Sequence, residues 1–142
     1  MVDVTVSQKI EAPPQKVAAV LFDPSRDPEW IGGAKKAEIL TGELPYGIGH
    51  RVRRTGAFLG RHFSWVTEIA EYEPNQLTRM KHVAGPFKGG VDYSIAPSDG
   101  GSLVTIRNYG AASFSFPFMS SMMRMSVAGD LRRLKRIIEI GR

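Results

Sequence analysis

Hydrophobic and polar residues alternate from Val2 to Val6, at the start of the chain. A period of two is typical of a strand with one buried face. Pro13 and the proline after it suit the first turn of a helix, where a missing N–H has no intrahelical partner. This helix is predicted to end at Asp23, because the residue before a proline is disfavoured in helical conformation. A further helical turn is predicted over 25–30.

The period of two returns near residue 35 and predicts six more strands. Stretches rich in glycine, proline, asparagine and aspartate separate them, which is typical of turns. Short connections between successive strands favour antiparallel pairing, and seven strands suit one strongly bent sheet. The six predicted strands cover residues 35–41, 50–56, 61–72, 77–84, 91–96 and 103–110.

The last part of the chain changes to a helical period. A helix is predicted over 115–140, with Gly129 as an interruption in its interior that costs about 1 kcal/mol relative to alanine. A long helix with a single apolar stripe needs an apolar surface to lie on, and the concave face of the sheet is the candidate. The stripe consists of Met119, Met123, Val127, Leu131, Leu134 and Ile138.

Length and composition describe an ordinary globular chain with one domain over 1–142. The 142 residues are 42% hydrophobic and 23% charged, and no apolar run approaches the roughly 18 residues that span a bilayer. The absence of cysteine excludes disulfides, thiolate metal sites and a cysteine nucleophile. The N-terminal pattern is that of a strand rather than of a secretory signal, so we expect a cytoplasmic location.

The net charge is +5, and its distribution is uneven. Residues 115–142 carry six Lys/Arg against two acidic residues, which places +4 of the net charge there. Such surfaces attract nucleic acid, anionic lipid or acidic partners. We interpret both basic clusters as solvent-facing sides of a helix and a hairpin, and no nucleic-acid partner is expected, because no recognition motif accompanies the charge. The second cluster is Arg51, Arg53, Arg54 and Arg61.

Several short motifs punctuate the predicted elements. Together with the order of elements, they resemble the polyketide cyclase/dehydrase and lipid-transport family, which belongs to the SRPBCC superfamily. The resemblance covers essentially the whole chain, and it implies structure more than function. The motifs are Ala12-Pro13, Asp23, Pro28, Trp30, the Gly42…Gly47-Ile48-Gly49-His50-Arg51 stretch, Glu71-Tyr72-Glu73-Pro74 and Asp99-Gly100-Gly101-Ser102.

The resemblance implies an α+β fold of the helix-grip type, as in START domains and pollen allergens. Its order is β-αα-β6-α, and a seven-stranded curved antiparallel sheet grips the long C-terminal helix. A cavity is expected between sheet and helix. Members of the family include aromatase/cyclases, dehydratases, hydrolases and lipid or hormone carriers, without a shared catalytic triad. Fold alone therefore leaves the activity open.

Aromatic and methionine side chains are the candidate ligand-binding residues. Methionine is flexible and polarizable and adapts to irregular apolar shapes, and four methionines begin the last helix. Ordinary core packing explains the same residues equally well. The candidates are Trp30, Trp65, Met80, Phe116, Met119, Met122 and Met123.

Polar residues on the predicted strands are the candidate catalytic groups, namely His82, Tyr93 and Arg107. A neutral histidine can orient a ligand carbonyl or accept a proton beside one. Arg107 and Asn108 lie on opposite faces of a strand, so only one of them can point into the cavity. An inward arginine would select an anion. The three histidines lack metal-ligand spacing, and no metal or cofactor is expected.

Two functions of different class remain at this stage. The first is binding of a small hydrophobic ligand, such as a lipid, a polyketide-like compound or an aromatic metabolite. The alternative is a cyclase or dehydratase that folds a polycarbonyl substrate and transfers protons. A third possibility is that the basic last helix docks on an acidic protein or a membrane. Against this, the apolar stripe of the same helix is needed for packing within the fold. An unpaired sheet edge could support a homodimer.

Overall fold

A computed structural model describes residues 2–41, 47–58, 60–112 and 117–141. The strands are β1 (Val2–Ile10), β2 (Ala34–Thr41), β3 (Arg51–Phe58), β4 (Arg61–Glu73), β5 (Leu77–Ala84), β6 (Phe87–Ser98) and β7 (Gly101–Ala112). The helices are α1 (Pro14–Leu21), α2 (Asp27–Trp30) and α3 (Met119–Ile140), with a 3₁₀ turn at Pro24–Arg26. The predicted order β-αα-β6-α and the helix-grip fold class are confirmed.

The strands form one antiparallel sheet in the order β1-β7-β6-β5-β4-β3-β2. All neighbours are consecutive in sequence except β1, which pairs with the last strand from Val2 opposite Gly110 to Ile10 opposite Ser102. Strand β5, which carries His82, therefore lies in the middle of the sheet. The outer strands are β1 and β2.

Strands β6 and β7 extend at both ends beyond the predicted bounds of 91–96 and 103–110. Gly89 and Gly110 are directly opposite each other in the ladder and have positive φ angles of 97° and 125°. A Cβ at Gly89 would lie 2.1 Å from the carbonyl oxygen of Tyr109. Only glycine permits this backbone approach, so the pair extends the ladder rather than ending it.

The helices pack on one face of the sheet. On α3 the predicted stripe is buried, apart from the partly buried Met123, while helices α1 and α2 contact α3 and close the same side of the molecule. Each fully buried large apolar side chain contributes roughly 1.5–3 kcal/mol. The largest of them are Trp30, Ile10, Leu21, Ile69, Met80, Leu131 and Leu134.

None of the helices within the described ranges combines the length and the apolar character that crossing a membrane requires.

Candidate functional site

A cavity of about 190 Å³ lies between the inner face of the sheet and α3. Strands β3 to β7 provide one wall, and α3 together with the segment that follows α2 provides the other. Most of the side chains that line it are apolar. The aromatic ones are Trp30, Phe63, Trp65, Phe87 and Tyr93.

The aromatic rings form two groups around this cavity. Phe63 and Trp65 share a face of β4 because they are two residues apart, and their ring centroids are 5.5 Å apart. Phe87 on β6 meets both rings edge-on, at 5.5 Å and 6.1 Å. In the second group, Trp30 meets Tyr93 edge-on at 5.8 Å. Edge-on contacts of this kind fix ring orientation.

Methionines divide between the cavity and the surface. Met80, Met119 and Met123 line the cavity. The expectation for Met122 is corrected, because its side chain lies outside the cavity wall and is 37% exposed. The helical period explains the difference: residues 119, 123 and 127 share a face of α3, and residue 122 falls off that face. Met125 is exposed as well.

Arg54, in the cavity wall, forms a buried ion pair with Asp27 behind it, and the sequence did not reveal this pair. Arg54 is 4% exposed and Asp27 is 1% exposed. Arg54 Nε donates to Asp27 Oδ2 at 2.5 Å, and Arg54 Nη1 donates to Thr67 Oγ1 at 2.7 Å. The sulfur of Met80 lies 3.8 Å from Nη2. The guanidinium thus contacts side chains from α2, β4 and β5.

The interpretation of Arg54 as part of a solvent-facing basic cluster is therefore wrong. Arg51 and Arg53 are exposed, whereas Arg54 shares the buried face of β3 with Val52. The alternation along β3 could have predicted this burial, because residues two apart on a strand face the same side of the sheet. Burial raises the pKa of the Asp27 carboxyl, and the charge of Arg54 acts in the opposite direction.

Two cavity side chains carry buried polar atoms without hydrogen-bond partners in the part of the chain that is described. These atoms are Trp30 Nε1 and His82 Nδ1. Burial lowers the pKa of His82 to about 4, with a further contribution from the charge of Arg54. His82 is therefore a neutral imidazole at pH 7, and its ring centroid lies 5.5 Å from that of Phe87.

Helix α3 holds the segment around Trp30 in place. Arg133 Nε donates to the carbonyl oxygen of Trp30 at 3.0 Å, and the Gly32 amide donates to Asp130 Oδ1, also at 3.0 Å. Asp130 and Arg133 form an ion pair one turn apart. Burial raises the pKa of Asp130. The sequence analysis did not identify Asp130 as a site residue. Its position beside the apolar stripe does not indicate a contact with the Gly32 amide, which is 98 residues away.

The predicted site residues fall into three groups. The structure brings Trp30, Trp65, Met80, Met119, Met123, His82 and Tyr93 together around the cavity, and their roles there stay predictions. Phe116 lies outside the described residues. Met122 and Arg107 lie away from the cavity.

Arg107 requires the larger correction. It faces the outer side of the sheet, where Nη2 pairs with Asp3 Oδ2 at 2.9 Å and the guanidinium lies 4.6 Å from the centroid of the Tyr109 ring. The register of β7 instead turns Asn108 toward the cavity. Arg107 therefore cannot select an anion inside the cavity, because its side chain is on the wrong face.

Across the described ranges, no cluster of three or more histidine, aspartate or glutamate side chains has the spacing of a metal site.

Comparison with known proteins agrees with this architecture. The family model for polyketide cyclase/dehydrase and lipid transport matches residues 1–139. A START superfamily protein from Mycobacterium smegmatis is 14% identical, with a TM-score of 0.83 and 99% of each chain covered. The Zhui aromatase/cyclase from Streptomyces sp. R1128 is 15% identical, with a TM-score of 0.76, over 96% of this chain and 93% of that one.

A third similar structure is the Aha1 dimer from Colwellia psychrerythraea, at 18% identity and a TM-score of 0.72 over 100% of this chain and 99% of that one. No curated protein sequence matches the chain. At such identities the solved structures show the fold alone. The family match over residues 1–139 goes further, and the chain belongs to the polyketide cyclase/dehydrase and lipid transport family.

Proposed function

We propose that this protein binds a small, mainly apolar ligand in the cavity between the curved sheet and α3. The observation that supports this function is the cavity itself, about 190 Å³ and lined mainly by apolar side chains, several of them aromatic or methionine. Well-packed interiors contain few voids larger than a water molecule. Apolar walls with a few polar groups are the usual character of small-molecule sites.

The test combines ligand binding with a variant that fills the cavity. Val91 lines the cavity on β6, so Val91→Phe adds a ring where a ligand would lie. Val83 on β5 is exposed and does not line it, so Val83→Phe adds the same ring outside. Binding of a panel of neutral aromatic compounds and fatty acids is measured by equilibrium dialysis with both variants and the unchanged protein.

We expect one panel member or more to bind the unchanged protein with 1:1 stoichiometry. Val91→Phe should weaken that binding at least about tenfold, since a filled cavity leaves little apolar area to bury, whereas Val83→Phe should leave it unchanged. A folded protein that binds no member of the panel would contradict the proposal. Equal binding by both variants would place the ligand outside the cavity.

A cyclase- or dehydratase-type enzyme is the second candidate function, supported by the Zhui aromatase/cyclase similarity and by His82 in the cavity wall. An efficient general base has a pKa near the working pH, and His82, at about 4, is a weak base near neutrality. His82 suits a hydrogen-bonding role better than proton abstraction, which favours binding. If turnover of a polyketide-like substrate is found, His82→Ala should lower turnover far more than it lowers binding.

A homodimer is also proposed, on the similarity to the Aha1 dimer. Strand β2 is an outer strand of the sheet, and it exposes Ile39 and Leu40. Exposed apolar side chains on an outer strand favour strand addition by a second copy. Light scattering should give twice the chain mass, and Ile39→Lys should reduce it to the monomer. A monomeric mass for the unchanged protein would contradict this.

A further inference from the structure

We infer that the cavity selects uncharged compounds of one or two rings that carry an oxygen acceptor, and that the indole N–H of Trp30 donates to that oxygen. This inference rests on the proposed binding function and deepens it. The inference predicts that ring-sized oxygenated compounds bind more tightly than two other ligand classes, long-chain lipids and carboxylates. Three properties of the cavity support it: its size, its charge balance and its unpaired donor.

The size of the cavity favours rings over chains. An apolar protein cavity of about 150 Å³ accepts benzene, and the cavity here is about 190 Å³. The aromatic side chains of Phe63, Trp65 and Phe87 line it as a group. Such a space fits one or two fused rings and leaves the greater part of a long acyl chain outside.

The charge balance of the walls favours an uncharged ligand. Both buried charges that line the cavity already have a partner of opposite sign: Arg54 has Asp27, and Asp130 has Arg133. His82 is neutral at pH 7 because of its lowered pKa of about 4. Lys88 also lines the cavity, but it is exposed at the rim, where water solvates its ammonium. A buried carboxylate would lose its hydration without gaining an uncommitted cation.

The donor is the indole N–H of Trp30. The Trp30 side chain is 1% exposed, and Nε1 has no hydrogen-bond partner among the residues described. An indole nitrogen only donates, and a buried donor is nearly always paired in a native protein. A ligand oxygen would satisfy it. The ring is held against Tyr93, and the carbonyl of Trp30 is held by Arg133, so the donor has a fixed position.

His82 provides a second polar contact for such a ligand. Its Nδ1 is buried and lacks a partner in the described part of the chain. A neutral imidazole nitrogen either accepts or donates, depending on the tautomer. A hydroxyl group on a ring can both donate and accept, so it can pair with the indole N–H of Trp30 or with His82 in either tautomer. Ring hydroxyl compounds are therefore the best probes.

The first experiment compares four probes with the unchanged protein at pH 7 by equilibrium dialysis: 2-naphthol, naphthalene, 2-naphthoate and oleate. We expect 2-naphthol to bind at least about tenfold more tightly than naphthalene, because satisfying a buried donor is worth about one such factor. It should exceed 2-naphthoate and oleate by at least the same factor. If 2-naphthoate binds as tightly as 2-naphthol or more tightly, the inference that the cavity selects uncharged ligands is overturned. If oleate binds more tightly than 2-naphthol, the inference that the cavity selects ring-sized ligands is overturned.

The second experiment removes the donor and keeps a ring. Trp30→Phe should bring the dissociation constant for 2-naphthol within about threefold of that for naphthalene, since no donor remains to distinguish them. Trp65→Phe is the matched control, because Trp65 lines the same cavity and its Nε1 is not among the buried unpaired atoms. The control should keep the preference for 2-naphthol.

The outcomes separate this inference from the proposed function. If naphthalene and 2-naphthol bind the unchanged protein equally, the binding function stands and the role of Trp30 is overturned. If Trp30→Phe keeps the full preference, the donor is another group and the inference fails. If none of the four probes binds but another member of the apolar panel does, the inference fails and the binding function stands; if no panel member binds, both fail. The probe series needs no variant, so it tests the inference even if Trp30→Phe does not fold.

Discussion

The guanidinium of Arg54 donates from Nε to the Oδ2 of Asp27 across 2.5 Å, beneath the wall of the cavity. This bond joins β3 to the short helix α2, which also carries Trp30. Arginine keeps its charge at any ordinary pH. The pair therefore fixes α2 against the sheet only as long as both partners are present, since either charge alone would be buried without compensation.

Removing one partner of this pair should destabilise the protein strongly. Arg54→Met leaves Asp27 buried and unpaired, and we expect the free energy of unfolding to fall by about 3–5 kcal/mol. The double variant Arg54→Met/Asp27→Leu should recover a large part of that loss, because neither charge remains. Urea unfolding of the three proteins measures both values.

Arg53→Gln is the control for this prediction. Arg53 is the next residue on β3 and pairs with Glu38 at 3.6 Å, with both side chains more than 40% exposed. Such pairs contribute about 0–1 kcal/mol. A loss for Arg54→Met no greater than that for Arg53→Gln would show that the buried pair does not stabilise the fold as described.

His82 should make the protein less stable as the pH falls. Its pKa is about 4 in the folded state and about 6.5 in an unfolded chain. Between these values the unfolded state binds more protons, so the contribution of the neutral side chain is complete above about pH 6.5 and is lost as the pH falls toward 4. The total change is up to about 3 kcal/mol.

The comparison of two histidine variants measures this contribution. His82→Gln should flatten the decline of the unfolding free energy between pH 7 and pH 5, because the titrating group is gone. His62 is exposed, and His62→Gln should keep the decline of the unchanged protein. Identical pH profiles for the unchanged protein and His82→Gln would mean that burial does not hold His82 neutral.

Gly90 should not tolerate a side chain. A Cβ there would lie 2.4 Å from the carbonyl oxygen of Met80 and 2.6 Å from the hydroxyl of Tyr109. Overpacking of this kind costs about 1–3 kcal/mol, so Gly90→Ala should lower the unfolding free energy by that amount. At Gly47 the nearest atom is Tyr72 Cδ2 at 3.8 Å, and Gly47→Ala should change stability by less than about 1 kcal/mol. Similar values for the two variants would be inconsistent with the close approach at Gly90.

Asp130 should control the mobility of the segment after α2. Asp130→Ala removes the acceptor of the Gly32 amide and the partner of Arg133, and we expect a loss of about 1–3 kcal/mol in the unfolding free energy. Hydrogen exchange at the Gly32 amide should become faster. The control is Arg132→Ala, which changes an exposed neighbour on α3. An unaltered exchange rate at Gly32 in Asp130→Ala would argue against the tether.

The sequence alone predicted the order of the elements and the apolar stripe of α3. These features depend on periods of two and of three to four residues, which are local in the chain. Strand β5 was predicted with the bounds that it has, Leu77–Ala84. The strands β6 and β7 extend beyond their predicted bounds at both ends. Here Gly89 faces Gly110 in the ladder, and that pairing is not visible in either strand by itself.

The character of the site was decided only by the tertiary structure. Arg54 and Asp27 are 27 residues apart, and Asp130 is 98 residues from Gly32, so no local pattern marks either contact. Arg107 lies outside and Asn108 inside because the register of the sheet sets the face of every residue on β7, and a shift of one position reverses it. Local periodicity thus fixes which elements form, whereas long-range packing fixes which polar groups meet inside the cavity.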